Sequence, residues 1–184
     1  IGFDASVDRV KSLASGESYV GDISDDELAR ALAAGYHPTT DAADVAGFDI
    51  AVISVPTPLR DGLPDLSYIE KTGHAIKPFL KPGQLVVLES TTYPGTTEDV
   101  LRPILEEGGL VAGKDFFLAY SPEREDPGNR DFATRNIPKV VGGVSKDSTE
   151  ISSFLYSQIV ETVHSVSSAR VAEACKLWEN TFRA

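Results

Sequence analysis

The chain has 184 residues, of which 41% are hydrophobic and 24% are charged, a composition typical of a globular protein and too apolar for disorder. Acidic residues outnumber basic ones by 28 to 17, and the resulting net charge of −11 argues against nucleic acid or an anionic membrane as the main partner. One cysteine excludes an internal disulfide, and three scattered histidines give no metal site. No apolar run approaches the roughly 18 residues of a membrane span. We expect a soluble, cytoplasmic protein without membrane contact.

Both ends of the sequence have the pattern of an interrupted element. Residues 1–4 read as the end of a buried strand, and the chain has no Met. The last residues, from Asn180 onward, stop within a helical pattern that no Gly or Pro ends. We therefore expect a fragment of a longer protein.

Helical and strand-like segments alternate along the chain. Strands are predicted at residues 1–4, 49–55, 84–89, 116–120, 137–141 and 161–166, the second of them buried on both faces. Helices are predicted from Val7, from a capping box at Ser24 and Glu27 to Gly35, after a cap at Asp65, through 97–107, from Ser145 and from Ser168. The proline-rich residues 56–64 are predicted to be a loop. This alternation predicts an α/β fold with an open, doubly wound parallel sheet.

Ligands of such sheets bind beyond the carboxyl ends of the strands, which selects four segments. The first contains Asp4, which stands where a carboxylate can accept hydrogen bonds from the adenosine ribose of a dinucleotide and repel the 2′-phosphate of NADP. A strand-end aspartate that caps the following helix explains the same residue equally well.

The second segment is the loop Val55-Pro56-Thr57-Pro58. Two prolines fix its backbone, so that the loop can lie flat against a ligand ring while Thr57 offers a hydroxyl. A rigid connection between two elements is the simpler interpretation.

The third segment, residues 89–97, concentrates hydroxyl groups between a strand and a helix amino terminus. Ser90 and Thr91 can hold a ligand or a water there, and the helix terminus favours anions. Thr96 or Thr97 is expected to cap the helix, and Glu89 can be purely structural.

The fourth segment contains Glu123, a carboxylate at a strand end that can act as a general base or orient water. Arg124, Glu125 and Asp126 follow it, and such a charge run is more often a solvated surface.

The last helix carries two patterns. Val171, Cys175, Trp178 and Phe182 form an apolar stripe that should face the core. Lys176 and Asn180 stand four residues apart, so both can point at one ligand atom. The alternative is a surface lysine paired with Glu173 and Glu179 on either side.

Taken together, these segments resemble the nucleotide-sugar 6-dehydrogenases, the family that contains UDP-glucose dehydrogenase. The resemblance rests on five blocks in register, which are residues 2–4, 55–58, 89–97, 121–124 and Ala172-Glu173 with Lys176 and Asn180. Residues 89–97 and 121–129 look most like the branch that oxidises UDP-N-acetylglucosamine or its close epimer UDP-N-acetylmannosamine.

The resemblance implies NAD as cofactor, a UDP-sugar as substrate, and two successive oxidations of a primary alcohol to a carboxylate. It assigns cofactor binding to Asp4, Val55, Pro56, Thr57, Ser90 and Thr91. It also implies that Thr91 positions water, that Glu123 assists thioester hydrolysis, and that Lys176 and Asn180 stabilise negative charge on oxygen. In these terms residues 1–166 are a Rossmann-like NAD-binding domain truncated at its N-terminal edge, and 167–184 begin a long central helix that leads to a substrate domain.

The sequence departs from the family pattern in several places. The Gly-rich turn, the catalytic cysteine and most of the UDP site have no counterpart in these 184 residues, so we expect the fragment itself to be inactive. Pro127 stands where many UDP-glucose enzymes have a second glutamate, which weakens a UDP-glucose assignment. The apolar stripe suggests a missing packing partner, and we expect the full-length protein to be a homo-oligomer, a dimer or larger. The alternatives are UDP-glucose 6-dehydrogenase, a β-hydroxyacid dehydrogenase, and a nucleotide-binding module without catalysis.

Overall fold

A computed structural model of the chain describes residues 1–21, 23–123 and 137–183, without the side chains of residues 180, 182 and 183. The backbone forms two compact units, Ile1–Gly47 and Phe48–Ala184. Within the described residues, every helix is too short or too polar to traverse a lipid bilayer. The same part of the chain groups no three His, Cys, Asp or Glu side chains in a way that could hold a metal ion.

The first unit is built from two short strands and two helices. Its elements are β1 (Gly2–Phe3), α1 (Val7–Ala14), α2 (Asp25–Ala33), β2 (Pro38–Thr39) and a 3₁₀ turn (Ala42–Val45). β1 pairs in parallel with β2. Both residues of β1 are only partly buried, less than the sequence pattern predicts. The predicted capping box is present, with Ser24 and Glu27 each accepting the other's backbone N–H. Gly35 follows α2 with φ of +103°, the left-handed conformation that ends a helix.

The second unit alternates strands and helices. Its elements are β3 (Ile50–Ile53), β4 (Leu59–Arg60), β5 (Leu63–Pro64), α3 (Ser67–Ile76), β6 (Leu85–Leu88), α4 (Arg102–Glu106), β7 (Phe117–Tyr120), β8 (Lys139–Gly143), α5 (Lys146–Ser157), β9 (Val163–Ser165) and α6 (Ala169–Arg183). A 3₁₀ turn (Lys77–Phe79) follows α3, and a π-helical turn (Thr96–Leu101) leads into α4. Asp65 does not occupy the cap position of α3, which is Leu66, but its carboxylate accepts the N–H of Ser67 in the first turn.

The sheet of this unit has the order β3-β6-β7-β8-β9. β3, β6 and β7 run parallel, whereas β8 runs antiparallel to β7, and β9 is parallel to β8. The predicted α/β class with a mainly parallel sheet is confirmed, and the reversed direction of β8 and β9 is a feature that the prediction did not include. Apolar periodicity places a strand and does not specify its direction, so the sequence pattern could not distinguish the two cases.

Burial is greatest in the middle of this sheet. All four residues of β6 are buried, and Leu85 and Val87 pack with Val141 of β8 and Tyr156 of α5. β3 differs from the prediction of burial on both faces, because Ile50 and Val52 are 44% and 48% exposed. β3 is an edge strand of this sheet, and these two side chains stay about half exposed.

The proline-rich segment between β3 and α3 is not a plain loop. β4 and β5 form a two-stranded antiparallel ladder joined at Asp61 and Gly62. Both turn residues have positive φ, +54° and +81°, as the tightest hairpin turns require. The prolines kept this segment out of the larger sheet, as predicted, but did not prevent local pairing.

The last helix presents a different side to the sheet than the apolar stripe predicts. Ala169, Ala172 and Glu173 are fully buried, while Val171 is 40% and Trp178 is 79% exposed. The approach is close, because a Cβ on Gly142 of β8 would lie 2.1 Å from the carbonyl oxygen of Ser168. Position 142 therefore has to be glycine, and the small residues Ala169 and Ala172 are buried near the start of the helix. Three residues of the predicted stripe, Val171, Cys175 and Trp178, instead line an apolar groove of about 460 Å³ with Pro122 and Val140.

Candidate functional site

The carboxyl ends of three parallel strands meet at one edge of the sheet. Ile53, Leu88 and Tyr120 are register partners and are the last residues of β3, β6 and β7. The chain continues the ladder for one more bond on each side, with Glu89 N–H donating to the Ile53 carbonyl and Ser121 N–H to that of Leu88. Three of the four predicted segments therefore leave the sheet side by side. This edge is the candidate site.

The loops that follow β3 and β6 are tied together at this edge. The Thr57 hydroxyl donates to the Thr91 carbonyl oxygen at 2.6 Å. Ser90 is buried, and its carbonyl accepts the Tyr120 hydroxyl at 3.3 Å, whereas Thr91 is exposed. The Thr57 hydroxyl uses its proton within the protein and keeps lone pairs to accept from a ligand. Val55 is half-buried and Pro56 is exposed. That this loop lies against a ligand ring stays a prediction.

The helix amino terminus after this loop does not offer the anion site that the sequence predicts. The Glu173 carboxylate of α6 accepts the N–H groups of Gly95 and Thr97 at 2.5 and 2.8 Å, and the Thr97 hydroxyl at 2.6 Å. The protein's own carboxylate thus occupies this terminus. Thr97 is not the helix cap and neither is Thr96, whose hydroxyl donates to the Tyr93 carbonyl, while Gly95 stands at the cap position.

Glu173 is not a surface partner of Lys176. Its side chain is fully buried, so the predicted alternative of a helix-strengthening pair with Lys176 is wrong for this residue. Burial raises the pKa of Glu173, against the hydrogen bonds from Thr97 and Gly95, which lower it. The sequence signal was weak, because a glutamate in a helix is usually exposed.

Lys176 and Glu123 come together from two distant parts of the chain. The Lys176 ammonium group donates a hydrogen bond to the Glu123 carbonyl oxygen, and the lysine is half-buried. Lys176 lies on α6 and Glu123 lies three residues beyond β7, so the last helix reaches the strand-end edge. Asn180 lies one turn further along α6, and its side chain is outside the described part of the chain. That Lys176 and Asn180 share one ligand atom therefore stays a prediction.

A group of charged residues that the sequence reading missed lies beside Glu123. The Lys139 ammonium group is 2.8 Å from Glu89 Oε1 and 3.4 Å from Glu123 Oε2. Tyr156 donates its hydroxyl to Glu89 Oε1 at 2.6 Å. Burial, followed by the charge of Glu89, raises the pKa of Tyr156, so the hydroxyl stays protonated and donates. A lysine within a predicted strand was the available signal, because such positions are usually apolar.

Asp4 belongs to the first unit. Its Oδ1 accepts the N–H of Ser6 at 2.7 Å, and its Oδ2 lies 3.5 Å from an Arg9 guanidinium nitrogen. Ser6, not Asp4, caps α1, so the capping alternative is wrong for Asp4 itself. The carboxylate follows β1 directly and retains acceptor capacity on both oxygens.

Part of the fourth predicted segment lies outside the described residues. Arg124, Glu125 and Asp126 belong to it, as do Pro127 and the two residues that follow. The substrate-branch pattern at 121–129 is therefore described only up to Glu123.

Comparison with known proteins gives a consistent result across sequence and structure. Residues 1–160 match the NAD binding domain of the UDP-glucose/GDP-mannose dehydrogenase family. Protein CapL of Staphylococcus aureus is 39% identical over the whole of this chain, and the match spans 43% of CapL. UDP-N-acetyl-D-glucosamine 6-dehydrogenase of Pseudomonas aeruginosa is 36% identical over the whole chain, spanning 44% of that enzyme.

A solved structure shares the fold over nearly the full chain. The structure of UDP-D-ManNAc dehydrogenase from Pyrococcus horikoshii has a TM-score of 0.93 and 34% identity, covering 99% of this chain and 44% of that one. The 184 residues thus span less than half the length of the curated relatives that they match.

Proposed function

The chain belongs to the UDP-glucose/GDP-mannose dehydrogenase family, and from this membership we propose that the whole protein oxidises the primary alcohol of a UDP-sugar to a carboxylate with NAD. The observation that carries the proposal is the meeting of Lys176 with Glu123 at the edge where β3, β6 and β7 end. An ammonium group and a carboxylate at the mouth of a sheet suit the two halves of such a reaction, because one stabilises an oxyanion and the other activates water.

The residues present fit a bound dinucleotide. The Thr57–Thr91 bond joins two loops into one surface at the strand ends, where open α/β sheets bind their ligands. In the second unit we assign cofactor binding to Val55, Pro56, Thr57, Ser90 and Thr91. For the first unit, taken by itself, we assign to Asp4 the role of accepting hydrogen bonds from an adenosine ribose. NAD, when bound, accepts the hydride. Because Glu173 accepts the N–H groups of Gly95 and Thr97 at the helix amino terminus, we place the pyrophosphate elsewhere in the whole protein.

The roles of the remaining site residues follow from their chemistry. Lys176 and Asn180 donate hydrogen bonds to the substrate oxygen as negative charge develops on it. Thr91, exposed at the strand-end edge, positions a water, and Glu123 takes a proton from that water in the second half of the reaction. The product is the uronate of the sugar.

The domain boundary follows the same proposal. Residues 1–166 form the NAD-binding domain, and residues 167–184 begin the central helix that connects it to a substrate domain. The family match over residues 1–160 supports this division. The Gly-rich turn and the catalytic cysteine are supplied by the rest of the whole protein, so the 184 residues alone are inactive. We also propose that the whole protein is a cytoplasmic homo-oligomer, and the exposed Val171 and Trp178 of α6 support an interface on this helix.

The substrate proposed is UDP-N-acetylglucosamine or its epimer UDP-N-acetylmannosamine. Names of relatives support an N-acetylated sugar, since one matched enzyme is named for the gluco and one structure for the manno form. The family match also favours this function over a β-hydroxyacid dehydrogenase. The third alternative, a module without catalysis, is separated from it by the assay that follows.

The test is NAD reduction by the full-length protein with UDP-glucose, UDP-N-acetylglucosamine and UDP-N-acetylmannosamine, each supplied alone. We expect two NADH per sugar from one of the N-acetylated substrates and much slower reduction with UDP-glucose. Faster reduction with UDP-glucose would reject the substrate proposed, and no reduction with any of the three would favour the non-catalytic module.

A further inference from the structure

Lys139 opens β8 in an unusual environment for a lysine. Its side chain is 8% exposed, and its ammonium group contacts three oxygens on two segments. These are Glu89 Oε1 at 2.8 Å, Glu123 Oε2 at 3.4 Å and the Pro122 carbonyl oxygen at 3.4 Å. An ammonium group has three N–H donors, so these contacts can satisfy all of them.

One end of this arrangement is buried, and the other end is partly exposed to solvent. The Glu89 side chain is 13% exposed and also accepts the Tyr156 hydroxyl at 2.6 Å. The Tyr156 ring centre lies 5.0 Å from the ammonium group, which adds a cation–π contact. Glu123, in contrast, is 48% exposed. The buried partners hold Lys139 in place, and Lys139 in turn reaches an exposed carboxylate.

Charge pairing alone does not account for the geometry. Glu89 already supplies the counter-charge that a buried ammonium group needs. The two other contacts both fall on the segment 122–123, one on its backbone and one on the Glu123 carboxylate. Lys176 binds the same residue from α6, through the Glu123 carbonyl oxygen. Glu123 is therefore bound at its carboxylate by Lys139 and at its backbone carbonyl by Lys176.

We propose that Lys139 is a positioning residue that orients the Glu123 carboxylate toward the hydrolytic water, with Glu89 as its anchor. The proposal rests on the proposed function and concerns only its second half. In that step the water oxygen bonds to the carbonyl carbon of the thioester as Glu123 takes the water proton. The carbon–sulfur bond then breaks, the cysteine leaves as thiolate, and the sugar carries a carboxylic acid. The preceding hydride transfers do not need Glu123 in this orientation.

The test separates the two halves of the reaction in the full-length enzyme. Lys139→Met removes the charge while keeping an unbranched chain, and Glu123→Gln serves as the reference variant. Single-turnover NADH formation gives the oxidation rate, and intact-protein mass measurement after acid quench gives the amount of sugar–enzyme thioester. We expect Lys139→Met to accumulate thioester and to hydrolyse it about tenfold or more slowly, with the first NADH formed within about twofold of the wild-type rate.

Further variants keep the result interpretable. Lys77→Met, which removes a lysine paired with Glu107 outside the strand-end edge, is the matched control and should not accumulate thioester. Lys139→Arg restores a cation and should recover part of the hydrolysis rate. Glu89→Gln removes the charge that holds Lys139 and leaves Lys139 and Glu123 themselves unchanged. It should accumulate thioester to a smaller extent. This variant tests the proposal even if Lys139→Met does not fold.

Three outcomes would overturn the inference. One is thioester accumulation in Glu123→Gln but in neither Lys139→Met nor Glu89→Gln. Another is equal slowing of oxidation and hydrolysis in Lys139→Met, which a merely structural role predicts. The third is wild-type hydrolysis in Glu123→Gln, which removes Glu123 and its positioning residue together. Failure of the proposed function shows differently, as absence of NADH from the wild-type enzyme with every UDP-sugar.

Discussion

Two glutamates anchor the two ends of one loop, and the protein holds them by different means. Glu89, at the start of residues 89–97, is paired with the Lys139 ammonium group at 2.8 Å. Glu173 holds the end of the same loop, and its described partners are two backbone N–H groups and a hydroxyl. Glu173 is fully buried, whereas the group around Glu89 continues to the exposed carboxylate of Glu123.

The different partners of Glu89 and Glu173 indicate different roles for the two ends of the loop. A carboxylate bound by backbone amides fixes a chain segment in one place, because the amides belong to the backbone that it restrains. A carboxylate bound by a lysine shares that lysine with other groups. Here Lys139, which binds Glu89, also contacts Glu123 in the candidate site. We therefore expect changes near Glu173 to act on stability, and changes around Lys139, Lys176 and Glu123 to act on turnover.

Lys176→Ala gives the largest expected effect and tests this division on a single helix, because Lys176 lies three residues after Glu173. In the full-length protein we expect turnover to fall by about two to four orders of magnitude, since the proposed oxyanion donor is lost, while NAD affinity changes little. Steady-state NADH formation and a direct NAD-binding titration measure the two quantities.

Lys146→Ala is the control for this variant. Lys146 is an exposed lysine of α5 paired with Glu150 one turn away, and its loss should leave both quantities unchanged. Unchanged turnover in Lys176→Ala would remove this lysine from the mechanism. A large loss of stability in Lys176→Ala instead would show that Lys176, like Glu173, acts mainly on stability.

Glu173→Ala is expected to have the opposite profile. It leaves the N–H groups of Gly95 and Thr97 without their charged acceptor, and we expect the free energy of unfolding to fall by about 2–4 kcal/mol. Chemical denaturation measures this change, with Glu150→Ala on the exposed side of α5 as a control that should cost less than about 0.5 kcal/mol. A Glu173→Ala protein of normal stability whose turnover falls as far as that of Lys176→Ala would show that both ends of the loop serve catalysis.

Much of the fold could be predicted from local pattern. The capping box at Ser24 and Glu27, the buried run of β6 and the helix start at Ser145 depend on neighbouring residues, and the structure has all three. Strand direction in β8 and the exposed face of β3 depend on which elements pack together, which a local pattern does not contain. The prediction that the apolar stripe of α6 faces the core was wrong for the same reason. The helix approaches the sheet closely at Gly142, which leaves little room there for large side chains.

The candidate site divides in a similar way. The rule that ligands bind beyond the carboxyl ends of the strands predicted that the segments of Thr57, Thr91 and Glu123 share one edge. Helical spacing indicated Lys176. Lys139 was missed because its partners Glu89 and Glu123 are 50 and 16 residues away in the chain. The partners of Glu173 are likewise 76 and 78 residues away. Contacts at such separations come from the topology of the sheet and leave no periodic signal in the sequence.

The smallest expected effect is the pH dependence of the contribution that Glu173 makes to stability. Burial raises the pKa of Glu173 in the folded protein above its value in the unfolded chain. The folded state therefore holds this proton at pH values where the unfolded state has released it, and the stabilising contribution of Glu173 is lost as pH rises through the raised pKa. We expect the stability advantage of wild type over Glu173→Gln to be greatest below about pH 4.5 and to decline above it, by at most about 1.4 kcal/mol per pH unit. Unfolding free energies of both proteins between pH 4 and pH 8 measure the difference. An advantage that grows with pH would mean that the amides of the loop overcome the cost of burial, and that Glu173 is held mainly as a charge.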